Sequence, residues 1–177
     1  RDVSEALSGG AHILQYRDKS HDHAKRLRQC NKLRELATEQ NCVFIINDDV
    51  ALAKKTDADG VQRGTAGNAI RHARDILGAK AIIGASCYNR FELALQASSL
   101  GADYVAFGRF FASSTKPGAV QAELHLLKQA REQLHGPVVA IGGITHDNAS
   151  GLIDAGADMI AVINAVFAQQ DIKTATR

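Results

Sequence analysis

The sequence contains no tryptophan and only 5% aromatic residues, so it offers few side chains on which nucleic-acid bases could stack. Its charge is nearly balanced, because 21 basic and 19 acidic residues are mixed along the chain and leave a formal net charge of +2. The longest basic cluster, at 25–28, lies in a helix-like stretch and is more typical of a solvated helix face. We therefore expect no nucleic-acid partner.

The chain also lacks paired cysteines and long apolar runs. Cys30, Cys42 and Cys87 are widely spaced and form no CxxC or metal-ligand pattern, which is typical of reduced thiols in a cytoplasmic enzyme. No apolar run approaches the roughly 20 residues that span a bilayer, and the first residues have no signal-peptide character. The sequence predicts a cytoplasmic protein that does not act at a membrane, and it is compatible with a homo-oligomer.

Seven short apolar runs alternate with helical patterns along the 177 residues. Several runs follow a glycine and a small residue, as at Gly101-Ala102, a pattern typical of a helix end that leads into a buried strand. The runs mostly lack in-out alternation, which favours parallel strands covered on both faces. We predict a single domain over 1–177, with strands at 12–16, 43–47, 60–62, 81–85, 104–108, 138–142 and 159–163.

The alternation of strands and helices favours a (β/α) barrel, although a doubly wound sheet would also fit seven units. A TIM barrel closes with eight strands. This chain opens directly in a helix-like segment, at 2–8, of the kind that follows a first strand. We therefore predict an α/β fold of the (β/α)8 TIM-barrel type whose first strand is missing from this chain.

Polar or glycine-rich residues follow most of the predicted strands, and the carboxyl ends of parallel strands meet at one rim, where such folds build their sites. The segment at 15–19 ends the first strand and places Gln15, Arg17 and Lys19 on one side of an extended backbone. The guanidinium and ammonium groups suit a polyphosphate. The alternative is that both cations are paired with acidic residues of neighbouring helices.

The second strand ends in one amide and two carboxylates, at Asn47, Asp48 and Asp49. Two adjacent carboxylates are a weak signal for a divalent metal. Asp49 also directly precedes the helix predicted from Val50, where an aspartate is a favoured N-cap. Asp48 is therefore the better candidate for a metal ligand.

Three later strand ends carry groups that suit phosphate. The segment at 113–118 has three hydroxyls beside Lys116, although it is also ordinary loop composition and lacks the glycine spacing of a Walker loop. Gly142-Gly143 ends a buried strand just before a helix, so backbone N–H groups can approach an anion there. Asn164 ends the last strand, and barrels commonly bind phosphate between the loops after their last two strands.

In this order, these segments resemble the thiamine-phosphate synthase (thiamine-phosphate pyrophosphorylase) family over about residues 6–167. The resemblance implies a (β/α)8 barrel and a transferase of thiamine biosynthesis. Such an enzyme joins hydroxymethylpyrimidine diphosphate to hydroxyethylthiazole phosphate and releases diphosphate with the help of Mg²⁺. The specific segments are Gln-Tyr-Arg-Asp-Lys at 15–19, Ile-Asn-Asp-Asp at 46–49, Ala-Asp-Tyr-Val-Ala-Phe-Gly at 102–108, Ser-Ser-Thr-Lys-Pro at 113–117 and Val-Ala-Ile-Gly-Gly-Ile at 139–144.

The resemblance also implies a role for each site residue. Asp48 would bind Mg²⁺, and Ser86 would orient the pyrimidine ring by a hydrogen bond. The C–O bond to diphosphate would break first, so Arg17, Lys19 and Lys116 would act with Ser86 as catalytic residues by stabilising the departing charge. The pyrimidine diphosphate would be held by Gln15, Arg17, Lys19, Asn47, Ser86 and Lys116. The thiazole phosphate would contact Ser113 and Thr115, and the product phosphate would contact Gly143, Ile163 and Asn164. The same motifs also contain Tyr16, Asp18 and Ser114.

One segment departs from the family pattern. In the third predicted strand and the loop after it, the family usually has the sequence Val-His-Leu-Gly-Gln-x-Asp. This chain instead has Val-Gln-Arg-Gly-Thr-Ala-Gly at 61–67. Gly67 therefore replaces a second metal-binding aspartate. Arg63 could partly replace the lost cation near diphosphate. The departure favours, as an alternative, a catalytically degenerate barrel that binds phosphate esters. A thiazole tautomerase fits less well, because it needs a histidine where this chain has Cys87.

Overall fold

Strands and helices alternate in a computed structural model of the protein, which describes residues 1–64, 68–112 and 120–177. The strands are β1 (Ile13–Tyr16), β2 (Val43–Asn47), β3 (Gly60–Gly64), β4 (Ile82–Tyr88), β5 (Tyr104–Gly108), β6 (Val138–Ile141) and β7 (Met159–Ala161). The helices are α1 (Asp2–Gly9), α2 (His23–Glu39), α3 (Val50–Lys55), α4 (Ala69–Leu77), α5 (Phe91–Ser99), α6 (His125–Gln133), α7 (His146–Asp154), α8 (Asn164–Phe167) and α9 (Ile172–Thr176).

The strands form one parallel sheet in which each strand pairs with the next along the chain, from β1 to β7. A doubly wound sheet reverses its strand order at a switch point, whereas a barrel keeps chain order. The order observed here therefore confirms the barrel-type α/β fold. Among the described residues no eighth strand joins β7 to β1, in agreement with the prediction that the first strand is missing.

The helix layer continues across the gap between β7 and β1. Helix α1 packs against α9, and a Cβ atom placed on Gly9 would collide with the main chain of Lys173. The strand edges below are more open, since Ile13 in β1 is 45% exposed and Ile160 in β7 is 38% exposed. The outer helix layer is therefore continuous across the gap that the described strands leave open.

The central strands β2 to β6 are largely buried, as their apolar runs predicted, whereas β1 and β7 border the gap and are more exposed. Phe44, Ile45 and Ile46 of β2, for example, are almost completely buried. Tyr16 in β1 contacts Gln29 of α2, so Gln15, its neighbour along the strand, points to the opposite side of the sheet. We call that opposite side the inner face.

Aspartates that precede three of the strands tie those strands to their neighbours. Each carboxylate accepts a hydrogen bond from a main-chain N–H near the start of the preceding strand, at the end of the sheet opposite the carboxyl-terminal rim. The aspartate before each of these three strands therefore has a structural role. The pairs are Asp59 with Phe44 at 2.7 Å, Asp103 with Ile83 at 2.7 Å, and Asp158 with Val138 at 2.8 Å.

No helix in the described part of the chain is both long enough and apolar enough to cross a membrane.

Candidate active site

Gln62 is a buried polar residue that connects three other strands on the inner face. Its side chain is 8% exposed. The Oε1 atom accepts hydrogen bonds from Gln15 Nε2 at 3.1 Å and from the Tyr104 hydroxyl at 2.7 Å. The Nε2 atom donates to Ser86 Oγ at 3.0 Å. The network therefore brings together Gln15 and Ser86, two residues predicted from the sequence resemblance to hold the pyrimidine diphosphate.

Gln62 and Tyr104 were not identified as site residues from the sequence. The available signal was a glutamine inside an apolar strand, because a buried amide requires hydrogen-bond partners. Burial raises the pKa of Tyr104, so its hydroxyl stays protonated at neutral pH. The Tyr104 ring lies against Gly84, where a Cβ atom would overlap it. Glycine at position 84 therefore leaves room for the ring that carries this hydroxyl.

Tyr16 faces the helix layer rather than the inner face. Its hydroxyl donates to Gln29 Oε1 at 2.8 Å and lies 3.4 Å from Asp18 Oδ2. Burial is the largest of the effects that raise the pKa of Tyr16 to about 12. The side chain is thus part of the core between β1 and α2, and its place in the motif does not put it beside Gln15.

Asp18 organises the segment that follows β1. Its carboxylate accepts from the Ser20 main-chain N–H at 2.7 Å and lies 3.2 Å from Lys25 Nζ. The pKa of Asp18 is lowered to about 2, chiefly by the hydrogen bond from the Ser20 main-chain N–H and less strongly by the Ser20 side chain and Lys25. Arg17 and Lys19 on either side are exposed, and neither has an ion pair with any residue that the structure describes. The alternative that both are paired with nearby helices is therefore not supported within that part of the chain.

The carboxylates after β2 have separate roles. Asp49 caps α3 by accepting from Leu52 N at 2.9 Å and pairs with Arg26 at 2.8 Å, which confirms the predicted cap. Asp48 is exposed, has a positive φ of 63°, and accepts from Asn47 Nδ2 at 2.8 Å. Its main-chain carbonyl accepts a hydrogen bond from the guanidinium of Arg63.

A cavity of about 630 Å³ lies at the carboxyl ends of the first three strands. Its lining brings together Lys19, Asn47, Asp48 and Arg63, which come from three separate segments. Arg63 directly follows Gln62 in β3, so the cavity and the inner-face network share a strand. A larger cavity of about 830 Å³ is lined by residues at the opposite ends of the strands, including the Arg34–Asp59 pair, and it contains none of the predicted site residues.

At Gly142 and Gly143, the main chain after β6 lies very close to the main chain after β5. Their φ values are 95° and 66°, and a Cβ atom on Gly143 would collide with the main chain of Ala112. Because Ile141 pairs with Ala161 in β7, this turn and the Ile163-Asn164 segment follow neighbouring strand ends. Ile163 and Asn164 are both exposed at the start of α8.

The remaining predicted site residues, Ser113, Ser114, Thr115 and Lys116, lie outside the described residues, as does Gly67. Cys87 follows Ser86 but is fully buried, and burial raises the pKa of its thiol to about 12. A protonated, buried thiol is not a nucleophile. Cys87 is therefore a core residue.

The oxygen ligands available at the cavity suit a cation whose other ligands come from a substrate. Within the described residues no cluster of three or more His, Cys, Asp or Glu side chains could hold a metal. Mg²⁺, however, commonly binds through one or two carboxylates together with substrate phosphates and water. The exposed Asp48 carboxylate and the Asn47 amide oxygen fit that smaller donor set.

Comparison with protein-family models matches residues 1–166 to a model described as thiamine monophosphate synthase. The thiamine-phosphate synthase of Thioalkalivibrio sulfidiphilus (strain HL-EbGR7) is 52% identical over 171 residues, which cover 97% of this chain and 81% of that protein.

Two solved structures show the extent of the structural likeness. The thiamine phosphate pyrophosphorylase from Pyrococcus furiosus superposes with a TM-score of 0.90 at 40% identity and covers 99% of this chain and 84% of its own. The orotidine 5'-phosphate decarboxylase from Pyrococcus horikoshii OT3 superposes with a TM-score of 0.70 at 17% identity, covering 98% and 88%. The second likeness concerns the fold alone.

Proposed function

Because the chain belongs to the thiamine monophosphate synthase family, we propose that it joins hydroxymethylpyrimidine diphosphate to hydroxyethylthiazole phosphate. The products are thiamine monophosphate and diphosphate. The family membership confirms the resemblance that the motifs predicted. The observation that carries the proposal is that two adjacent residues of β3 reach two polar groups at the same strand ends. Gln62 binds Gln15 and Ser86 on the inner face, and Arg63 lines the cavity with Lys19 and Asp48.

The reaction that this arrangement suits begins with loss of diphosphate. The C–O bond of the pyrimidine methylene breaks, and its electron pair leaves with the diphosphate oxygen. The thiazole nitrogen then supplies its lone pair to the cationic carbon and forms the new C–N bond. No strong base is needed, so the main requirement is stabilisation of the negative charge that develops on the leaving group.

Cationic side chains from the predicted site would meet that requirement. Arg17, Lys19 and Arg63 would donate to diphosphate oxygens, together with Lys116, and a well-aimed donor is worth about 3 kcal/mol. Asp48, with Asn47, would hold a Mg²⁺ ion, which when bound supplies further positive charge at the diphosphate.

The other residues implied by the family would bind the two heterocycles and their phosphates. Gln15 and Ser86 would orient the pyrimidine ring. Gly143 would offer its main-chain N–H to the product phosphate, beside Ile163 and Asn164. Ser113 and Thr115 would contact the thiazole phosphate.

A coupled assay of diphosphate release tests the proposal. We expect release only when both substrates are present with Mg²⁺. Arg17→Ala should lower kcat/KM by about 100-fold, the usual effect of removing one transition-state donor. Arg28→Ala, which removes an exposed arginine from α2, is the matched control and should have no effect.

The degenerate-barrel alternative predicts a different result. A folded chain that binds the phosphate esters by calorimetry, but releases no diphosphate with both substrates, would contradict the synthase proposal.

A further inference from the structure

The hydrogen bonds around Gln62 have a direction, and Tyr104 sets it. The Tyr104 hydroxyl is protonated, and within the described residues its only recorded acceptor is Gln62 Oε1, at 2.7 Å. If the Gln62 amide were turned over, its NH₂ group would face the Tyr104 oxygen and the phenolic proton would lose this acceptor. A buried donor without an acceptor is costly. Tyr104 therefore holds the oxygen of Gln62 toward itself.

That orientation determines which hydrogen-bonding groups of Ser86 and Gln15 remain available to a ligand. Ser86 Oγ accepts from Gln62 Nε2, so its own O–H remains available as a donor. Gln15 Nε2 donates to Gln62, so its Oε1 atom remains available as an acceptor. The inner face thus presents one donor and one acceptor, both tied to the same buried amide.

We infer that Gln62, oriented by Tyr104, is the positioning residue that makes this site select a pyrimidine with an amino group beside a ring nitrogen and reject the corresponding oxo-pyrimidine. This inference rests on the proposed function. The ring nitrogen of an aminopyrimidine accepts from Ser86, and its amino group donates to Gln15. The oxo form carries N–H and C=O in those places, so it would face a donor with a donor and an acceptor with an acceptor.

Competition binding measures this selection without requiring turnover. The probes are hydroxymethylpyrimidine diphosphate and its analogue with an oxo group in place of the amino group, and the readout is the ratio of their dissociation constants. Because a mismatched buried hydrogen bond costs roughly a factor of 10 to 100 in binding, the native chain should prefer the amino compound by at least about tenfold.

Two variants test the role of Gln62 itself. Gln62→Glu keeps the shape of the side chain, but the ionised carboxylate can only accept hydrogen bonds. Ser86 must therefore turn its O–H toward position 62. The amino compound should then bind about tenfold more weakly, and the preference should fall by the same factor. Tyr104→Phe keeps the ring that packs on Gly84 but removes the proton that orients the amide. The preference should then fall because the oxo analogue gains affinity.

Gln96→Glu, an isosteric change at an exposed position of α5, is the control and should leave the ratio unchanged. Equal binding of the two pyrimidines by the native chain would overturn the inference. So would folded Gln62→Glu and Tyr104→Phe variants that keep the native ratio, and if Gln62→Glu does not fold, Tyr104→Phe decides. Selective binding without turnover would contradict the synthase proposal but leave this inference standing.

Discussion

The guanidinium of Arg63 donates a hydrogen bond to the main-chain carbonyl of Asp48, the residue after β2 whose carboxylate we assign to a metal. A fixed positive charge therefore lies beside the proposed cation site. This geometry supports the expectation that Arg63 partly replaces, near diphosphate, the cation lost with the aspartate at position 67. It also leads to the first prediction.

Replacing Arg63 with leucine, the residue usual in the family, should weaken metal-free binding of diphosphate by about tenfold, because one donor to the phosphate oxygens is lost. Binding in saturating Mg²⁺ should change less. Calorimetry with and without Mg²⁺ measures both values. Arg71→Leu on the exposed face of α4 is the control, and an equal loss in the two variants would argue against a role for Arg63.

Replacing Gly67 with aspartate should restore the carboxylate that the family pattern carries. We expect the Mg²⁺ concentration for half-maximal diphosphate release to fall by about tenfold, since a second carboxylate strengthens a site that otherwise depends on Asp48 and substrate. Gly67→Asn has nearly the same shape without the charge. If both variants behave alike, charge at position 67 does not control metal binding.

Replacing Gly84 with alanine should displace the Tyr104 ring and break its hydrogen bond to Gln62. Overpacking of this kind costs about 1–3 kcal/mol of stability, and pyrimidine binding should weaken as well. Gly151→Ala is the matched control, because no atom lies within contact distance of a Cβ there and the site is on an exposed helix. That variant should be slightly stabilised. Urea unfolding compares the two, and equal stabilities would contradict the packing argument.

The Asp18 carboxylate should make stability depend on pH. Its pKa is lowered to about 2 in the folded protein, so the ionised form favours folding. The stabilisation is present above the ordinary aspartate pKa near 4 and is lost as the pH falls toward 2. Asp18→Asn should therefore lower the urea midpoint at pH 7, and the difference from the native chain should shrink below about pH 4. A difference that stays constant across this range would show that the carboxylate charge is not responsible.

The order of elements and much of the rim were predictable from local patterns. Continuous apolar runs predicted each of the strands among the described residues, because strands buried on both faces need apolar side chains on both sides. The aspartate before α3 predicted the cap at Asp49, since capping involves residues only three apart. The motifs predicted the family, and the comparisons confirmed it.

Other features depend on contacts between distant segments. Tyr16 and Gln15 are adjacent in the motif, yet the strand sends them to opposite sides of the sheet. Gln62 meets Gln15, Ser86 and Tyr104 across 24 to 47 residues of sequence. Only the register of paired strands decides which of these side chains come within hydrogen-bonding distance.

By itself, the amino-acid sequence determined the parallel α/β pattern, the family and the residue types available at the strand ends. Periodicity and capping act over a few neighbouring residues and are visible in a linear chain. The tertiary structure alone decided which polar groups meet, in which direction each hydrogen bond runs, and that Arg63 lies against Asp48. Hydrogen bonds require atoms from separate strands to lie about 3 Å apart, and that distance exists only once the strands have paired.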